Sequence, residues 1–192
     1  MRQALRADLD TVVDIWVDAF TADPFFRWMQ PDDARWPAFG GAWMRFIAEQ
    51  CFQRGHTYLA RSEDVAIAWI PPELDMLDDG DFEHGVAILT ELAAEGRVDD
   101  AVATIMGARE YTMTAPHWTL QWLGVRTAAQ GRGRGAIAVD DILRRCDDED
   151  LPAGLVSSNP RNVPFYERHG FTVVAEIPTP DGQATIRPMH RR

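Results

Sequence analysis

Apolar residues recur along this chain with two different periods, and the changes of period mark its elements. Over 8–20, Leu9, Val12, Val13, Trp16, Val17 and Phe20 fall at three- and four-residue steps, which puts them on one helical face. The stretch from Thr21 to Pro24 ends this helix, because the residue before a proline avoids the helical region. A second helix is expected over 36–53, with Trp43, Phe46, Ile47 and Phe52, and Gly55 stops it. Two β-like runs, 57–61 and 65–70, flank the turn Ser62-Glu63-Asp64. Helices are expected at 82–95, capped by Asp81, and at 99–113. Trp118, Leu120 and Trp122 alternate with Thr119, Gln121 and Leu123, so 117–125 reads as a strand.

The helix over 133–146 is expected to turn Ile137, Ile142, Leu143 and Cys146 inward, and 153–157 reads as a buried strand. A two-turn helix over 163–168 has Asn162 as N-cap, Pro164 in its first turn and Gly170 at its close. The runs 171–177 and 183–189 pair as a hairpin across Pro178 to Gly182. Helices, then strands, then strand–helix–strand–helix–strand–strand imply an α+β (mixed α/β) fold. The 192 residues, 46% of them hydrophobic, suit one core and one domain over 1–192.

Charge narrows the function. The net charge is −11, and all nineteen basic residues are arginine. Such a surface does not suit nucleic acid or an anionic membrane. No apolar run approaches the ~20 residues that span a bilayer. MRQALRADLD lacks a signal-peptide core, and Cys51 and Cys146 have neither metal nor scaffold spacing, so a reducing, cytoplasmic setting is expected with no metal. Without lysine there is no Schiff-base chemistry and no P-loop of the lysine type.

The charge is not uniform. From Leu123 to Ala136 the chain reads LGVRTAAQGRGRGA. A strand ends at Val125, and Gly131, Gly133 and Gly135 open a helix. Glycine lets backbone N–H groups approach a ligand, and a helix N-terminus offers unpaired N–H groups to an anion. Arg126, Arg132 and Arg134 stand here with no acidic residue between 124 and 139. We read the segment as a pyrophosphate cradle. Gly131, Gly133 and Ala136 also satisfy the dinucleotide fingerprint G-x-G-x-x-A, with Asp150 about twenty residues on. That fingerprint turns directly off its strand, whereas here five residues separate Val125 from Gly131.

A second motif follows, Asn159-Pro-Arg-Asn-Val-Pro-Phe-Tyr-Glu-Arg-His-Gly-Phe171. Gln130-Gly-Arg-Gly-Arg-Gly135 resembles the Q/R-x-x-G-x-G/A motif of the GNAT-type N-acetyltransferases, and the Asn159 segment resembles their N-x-x-x-x-x-x-Y-x-x-x-G-F motif at the family's usual separation. More narrowly, the chain resembles the puromycin N-acetyltransferase-like branch. The matching pieces are Ala19-Phe20, Asp23-Pro24 and Trp28, then Val65 to Trp69, His117-Trp118, Pro160 to Arg168 and Pro180-Asp-Gly182. The middle, about 73–113, resembles nothing specific.

The resemblance implies a mostly antiparallel twisted sheet flanked by helices, splayed at an acetyl-CoA site. It implies transfer of an acetyl group from acetyl-CoA, as cosubstrate, to the primary amine of a small molecule in a ternary complex. Leu123, Val125, Gln130, Gly131, Arg132, Gly133, Arg134, Gly135, Ala136, Asn159 and Asn162 fall where the family binds its cofactor. Tyr166 falls on the family's proposed general acid, and a phenol near pKa ~10 suits protonation of a thiolate whose conjugate acid lies near ~8.5. The branch's carboxylate before the second motif is replaced by Val156, which accepts no proton. A water chain, Glu83, Glu110 or His117 is left as base, or no side chain serves at all.

Phe20, Phe25, Phe26, Trp28, Trp36 and Trp69 are candidates for an acceptor cleft, with Phe25, Trp28 and Trp69 foremost. The six carboxylates between 73 and 83 would draw a cationic amine. Two other outcomes stay open: a protein N-terminus or lysine as acceptor, and a non-catalytic acyl-CoA-binding regulatory module. Monomer and homodimer are both compatible with the sequence.

Overall fold

Strands line up in the order β1-β2-β3-β4-β5-β8-β6, with β7 also pairing on β8. They are β1 (Arg2–Gln3), β2 (His56–Leu59), β3 (Val65–Ile70), β4 (Trp118–Val125), β5 (Ala153–Ser157), β6 (Thr172–Val173), β7 (Ile177–Pro178) and β8 (Thr185–Arg191). Among the described residues seven α-helices accompany them: α1 (Leu9–Phe20), α2 (Pro24–Met29), α3 (Trp36–Arg54), α4 (Asp79–Leu92), α5 (Val98–Arg109), α6 (Arg134–Asp148) and α7 (Val163–Glu167). This computed structural model describes residues 1–72 and 74–192. The arrangement is the mixed α/β fold expected from the element order.

The sheet divides the core in two. Ala66, Ala68, Ile70 and Trp122 pack with α1, α2 and α3. Val65, Ile67, Trp69, Trp118 and Leu120 pack with α6, Tyr166 and Met189. Strict alternation would keep Trp122 with Trp118 and Leu120, but the β3–β4 register slips between Ala68 and Trp69. Ala68 pairs with Trp122 and Trp69 with Leu120, so Gln121 is the additional residue of a bulge. One extra residue in a period-2 strand sends everything after it to the other face.

Among the described residues only one neighbouring pair is parallel, β4 with β5. Their pairing covers Trp118–Ala153, Thr119–Gly154 and Leu120–Leu155 and stops there. β4 runs on for five residues and β5 for two, so the strands part beyond the bulge. This is the splay that the resemblance implies.

Several local expectations are corrected. Pro24 ends α1 but also opens α2, because proline suits a helix's first turn and the Asp23 carboxylate accepts from the amides of Phe25 and Phe26 at 3.0 and 3.3 Å. The cap of α4 is Asp78, in a reciprocal pair with Asp81. Asn162 makes no side-chain cap bond to α7; Asn159 instead accepts from the Arg161 amide and closes the turn before it. Ile137 points outward, 61% exposed, because the buried stripe of α6 runs through Ala138, Val139, Ile142, Leu143 and Cys146. Val156 is likewise exposed, in a strand expected to be buried throughout.

Candidate functional site

The first part of the site is the turn into α6. Gly131 and Gly133 both have φ of +72°, a left-handed conformation that strains any L side chain. None of the amide N–H groups of Gly131 through Ala136 finds an acceptor among the described residues. Gly135 lies close to β4: a Cβ there would stand 3.4 Å from Val125 Cγ2 and 3.7 Å from Phe165 Cζ. Gln130 donates its side-chain amide to the Val125 carbonyl at 3.0 Å, fixing the end of β4 against the loop. A run of free N–H groups at a helix N-terminus, kept bare by glycine, fits a pyrophosphate.

The arginines contribute less evenly than the sequence implies. The β2–β3 turn brings Asp64 onto Arg134 as an ion pair, with Ser62 alongside, and the Glu63 carbonyl accepts from Arg126. Arg132 makes no ion pair among the described residues. The stretch is free of acid in sequence but not in space.

The second part is a cavity of about 670 Å³ that reaches the gap between β4 and β5. Leu120 to Leu123 and Leu155 to Ser158 border the gap, and Asn162 and Tyr166 line the cavity with them. Phe25 and Phe26 from α2, Trp43 and Phe46 from α3, Leu89 from α4 and Ile105 from α5 give the cavity apolar walls, and Asp75, Arg109, Thr112 and His117 add polar and charged groups to its lining. The stretch 73–113, featureless in sequence, supplies α4 and α5 and thus much of this wall.

Tyr166 is buried, and its hydroxyl makes no hydrogen bond to the described residues. Burial, helped by the nearby Asp23 charge, pushes its phenol well above the ordinary value. At neutral pH Tyr166 therefore holds its proton. Asp23 itself is buried at the start of α2. Its second carboxylate oxygen accepts from the Ser158 hydroxyl at 2.7 Å. Burial raises its pKa, opposed by the Ser158 and backbone hydrogen bonds. The sequence presents Asp23 in an Asp-Pro turn that is one of the pieces resembling the puromycin-type branch, but nothing local marks it as buried against Ser158.

Other candidates lie elsewhere. Phe20, Phe25 and Phe26 line the cavity, while Trp28, Trp36 and Trp69 do not. Trp28 stacks on Phe25 with ring centroids 5.7 Å apart and donates to Asp181 at 3.0 Å, tying α2 to the Pro180-Asp-Gly182 turn. Trp69 has no exposure and belongs to the core under α6. Asn159 is committed to its own turn. Of the suggested bases, His117 borders the cavity, and its Nδ1 lies 2.9 Å from the Ala115 carbonyl. Glu83 does not line it, and Glu110 faces a separate groove. In the acidic run, Asp78 and Asp81 bind Arg54 at 2.9 and 2.6 Å and Asp75 borders the cavity; Glu73 lies outside the described residues.

Comparison with known proteins agrees with this geometry. The family model described as Acetyltransferase (GNAT) family matches residues 12–171. An uncharacterized N-acetyltransferase of Schizosaccharomyces pombe is 41% identical over 60 residues, 31% of this chain and 24% of that protein, so the chain spans about a quarter of that relative. The solved structure of a histone acetyltransferase HPA2 and related acetyltransferase from Corynebacterium glutamicum is 25% identical, with a TM-score of 0.67 over 98% of this chain and 93% of that one. Arylalkylamine N-acetyltransferase 2 from Aedes aegypti is 10% identical, also with a TM-score of 0.67, over 99% and 96% of the two chains. The PaiA N-acetyltransferase from Thermoplasma acidophilum, solved with coenzyme A, is 11% identical with a TM-score of 0.55 over 100% and 96%. A family match across most of the chain, on a sheet splayed beside a glycine-built cradle, places this protein in the GNAT family of acetyltransferases.

Proposed function

We propose that this single-domain enzyme moves an acetyl group from acetyl-CoA to the primary amine of a small, largely apolar molecule. The observation that carries the reading is the cavity, which takes in Tyr166 and the residues bordering the β4–β5 gap and whose other walls are mainly aromatic and aliphatic, with Asp75 and Arg109 among the charged exceptions. An amine with an apolar body would bury that body against Phe25, Phe26, Phe46 and Ile105, at roughly 25 cal/mol per Å² of apolar surface. The resemblance to the puromycin-type branch and the arylalkylamine enzyme among the fold's neighbours point the same way.

The thioester supplies an activated acyl group when bound. The amides of Gly131 to Ala136, with Arg132, would hold its phosphates. Leu123 and Val125 would hold the cofactor arm along the edge of β4 that β5 leaves unpaired, and Gln130 keeps that end of β4 in place. A backbone N–H in the gap stabilises the oxyanion, an interaction typically worth ~10²–10³ in rate. Tyr166 keeps its proton until a thiolate needs it. The acidic surface outside the cradle suits a cationic acceptor and a cytoplasmic enzyme, monomeric or homodimeric, without nucleic-acid or membrane partners.

Thiol release from acetyl-CoA across a panel of arylalkyl and alkyl amines, polyamines and peptides tests this, with CoA binding followed by calorimetry. Fastest turnover with apolar amines is expected. Fastest turnover with a peptide N-terminus or lysine would shift the acceptor to protein, and CoA binding without turnover on any amine would make the chain a regulatory module.

A further inference from the structure

We propose that Asp23, acting through the Ser158 hydroxyl, is the base that takes the proton of the acceptor's ammonium group. The proposal rests on the amine-acetyltransferase reading above. It answers the question raised by Val156, which stands where the branch carries a carboxylate and is 51% exposed at the cavity's edge.

Three observations converge on Asp23. Its carboxylate is buried, 4% exposed, and no arginine or histidine pairs with it among the described residues. A carboxylate in such a place is costly, and a helix cap does not require one, since serine, threonine or asparagine caps as well. The two oxygens also have separate duties. Oδ1 accepts from the amides of Phe25 and Phe26, which is the cap; among the described residues Oδ2 accepts only from Ser158 Oγ, at 2.7 Å. Finally, Ser158 lines the cavity where β5 leaves β4, and Tyr166 lines it too. A serine hydroxyl that donates to Asp23 still has lone pairs to receive a proton from the cavity side. Among the described residues the titratable group facing Asp23 is Tyr166 from α7, and the residue just beyond β5 adds the Ser158 hydroxyl. Burial raises the Asp23 pKa, the direction that makes it a stronger base.

The ammonium proton passes to Ser158 Oγ as the Ser158 proton passes to Asp23 Oδ2, leaving a neutral amine and a carboxylic acid. The nitrogen lone pair forms the C–N bond to the thioester carbonyl carbon. The C–S bond then breaks, and the departing thiolate takes the proton of Tyr166 Oη. The nitrogen's surplus proton returns to the Tyr166 oxygen, which gives the neutral amide, and Asp23 releases its proton to solvent as products leave.

Asp23→Asn separates the base from the cap, because asparagine keeps an oxygen for the Phe25 and Phe26 amides. The comparison, made at pH 8, uses an acceptor found in the amine panel and its β,β-difluorinated analogue, whose amine is then largely neutral. Expected is an unchanged thermal midpoint and CoA affinity, and a loss of ~10²-fold or more in kcat/KM for the basic amine. The fluorinated acceptor should lose far less, and the variant's pH profile should follow the amine's own ionisation. An equal loss for both acceptors, or no loss, overturns the proposal. If Asp23→Asn does not fold, Ser158→Ala decides by the same two acceptors and the same criterion. Wild-type protein inactive on every amine would overturn the transferase reading first; an active wild type with an indifferent Asp23→Asn would overturn only the base.

Discussion

Trp16 rests against the backbone of Gly124 so closely that a Cβ on Gly124 would stand 2.6 Å from Trp16 Cδ1. The indole N–H donates to the Ala66 carbonyl at 3.1 Å, and Ala66 pairs with Gly124 across β3 and β4. Small residues at 66, 68 and 124 let α1 lie directly on the strands that lead to the gap. Gly124→Ala is therefore an overpacking change at a rigid contact, expected to destabilise by ~1–3 kcal/mol. For a chain of this size that is a drop of roughly 2–4 °C in thermal midpoint per kcal/mol, measurable by calorimetry. Because Gly124 lies between Leu123 and Val125, CoA affinity should fall with it.

The cradle responds differently. No side chain or backbone atom lies within 4 Å of a Cβ built on Gly131 or Gly133, so alanine there meets no clash. It meets only the left-handed backbone, at about 1–2 kcal/mol for each residue. If the turn relaxes to relieve that strain, its amides no longer converge. Gly133→Ala should leave the thermal midpoint within a few degrees while weakening CoA binding by about tenfold or more, a split that calorimetry reads directly.

Much of this was legible from residue spacing. The amphipathic stripe of α1, the glycine turn into α6, and the Asn159 to Phe171 segment are local signals, and each forms the element it implies. What sequence hid is what depends on register and on distant contacts. The bulge at Gln121 is one added residue in a pattern that otherwise alternates faultlessly, and it reverses the face of Trp122. The tryptophans were indistinguishable by type: Trp69 is core and Trp28 anchors a turn, while featureless α4 and α5 wall the cavity. Arg134 reads as a free cation until the turn at 62–64 delivers Asp64. Asp23 and Ser158 are 135 residues apart, a pairing no local motif announces.

The N-terminal strand gives a prediction in pH. Arg2 holds Asp8 through two bonds of 2.6 and 2.7 Å, and the Leu5 amide adds a third at 2.7 Å. These bonds favour the charged carboxylate and lower its pKa from 3.8 to about 2. A group whose folded pKa is lowered stabilises the fold above its unfolded pKa and loses that contribution as pH falls through the folded one. The stability difference between wild type and Asp8→Asn should thus be constant above about pH 5 and shrink between about pH 4 and 2, in urea titrations across that range.

Tyr166 carries the sharpest test of the chemistry. Its ring packs edge-on against Phe165 and Phe171, with centroids 5.0 and 6.1 Å away, so the aromatic body is part of the core whatever the hydroxyl does. Tyr166→Phe keeps that body and removes only an oxygen that makes no hydrogen bond to the described residues. Stability and CoA affinity should therefore stay near wild type. Turnover should not: with no acid to meet the thiolate, kcat is expected to fall by ~10²-fold or more, as general-acid contributions typically run. Because burial holds the phenol protonated well above neutrality, the loss should be uniform between pH 6 and 9 rather than confined to one limb of the profile. A poorer-basicity thiolate supplies the control. Acetyl donors whose thiol is more acidic than CoA leave without protonation, so the gap between Tyr166→Phe and wild type should narrow with them. A variant with wild-type turnover on acetyl-CoA would place the acid elsewhere and leave Tyr166 a core residue.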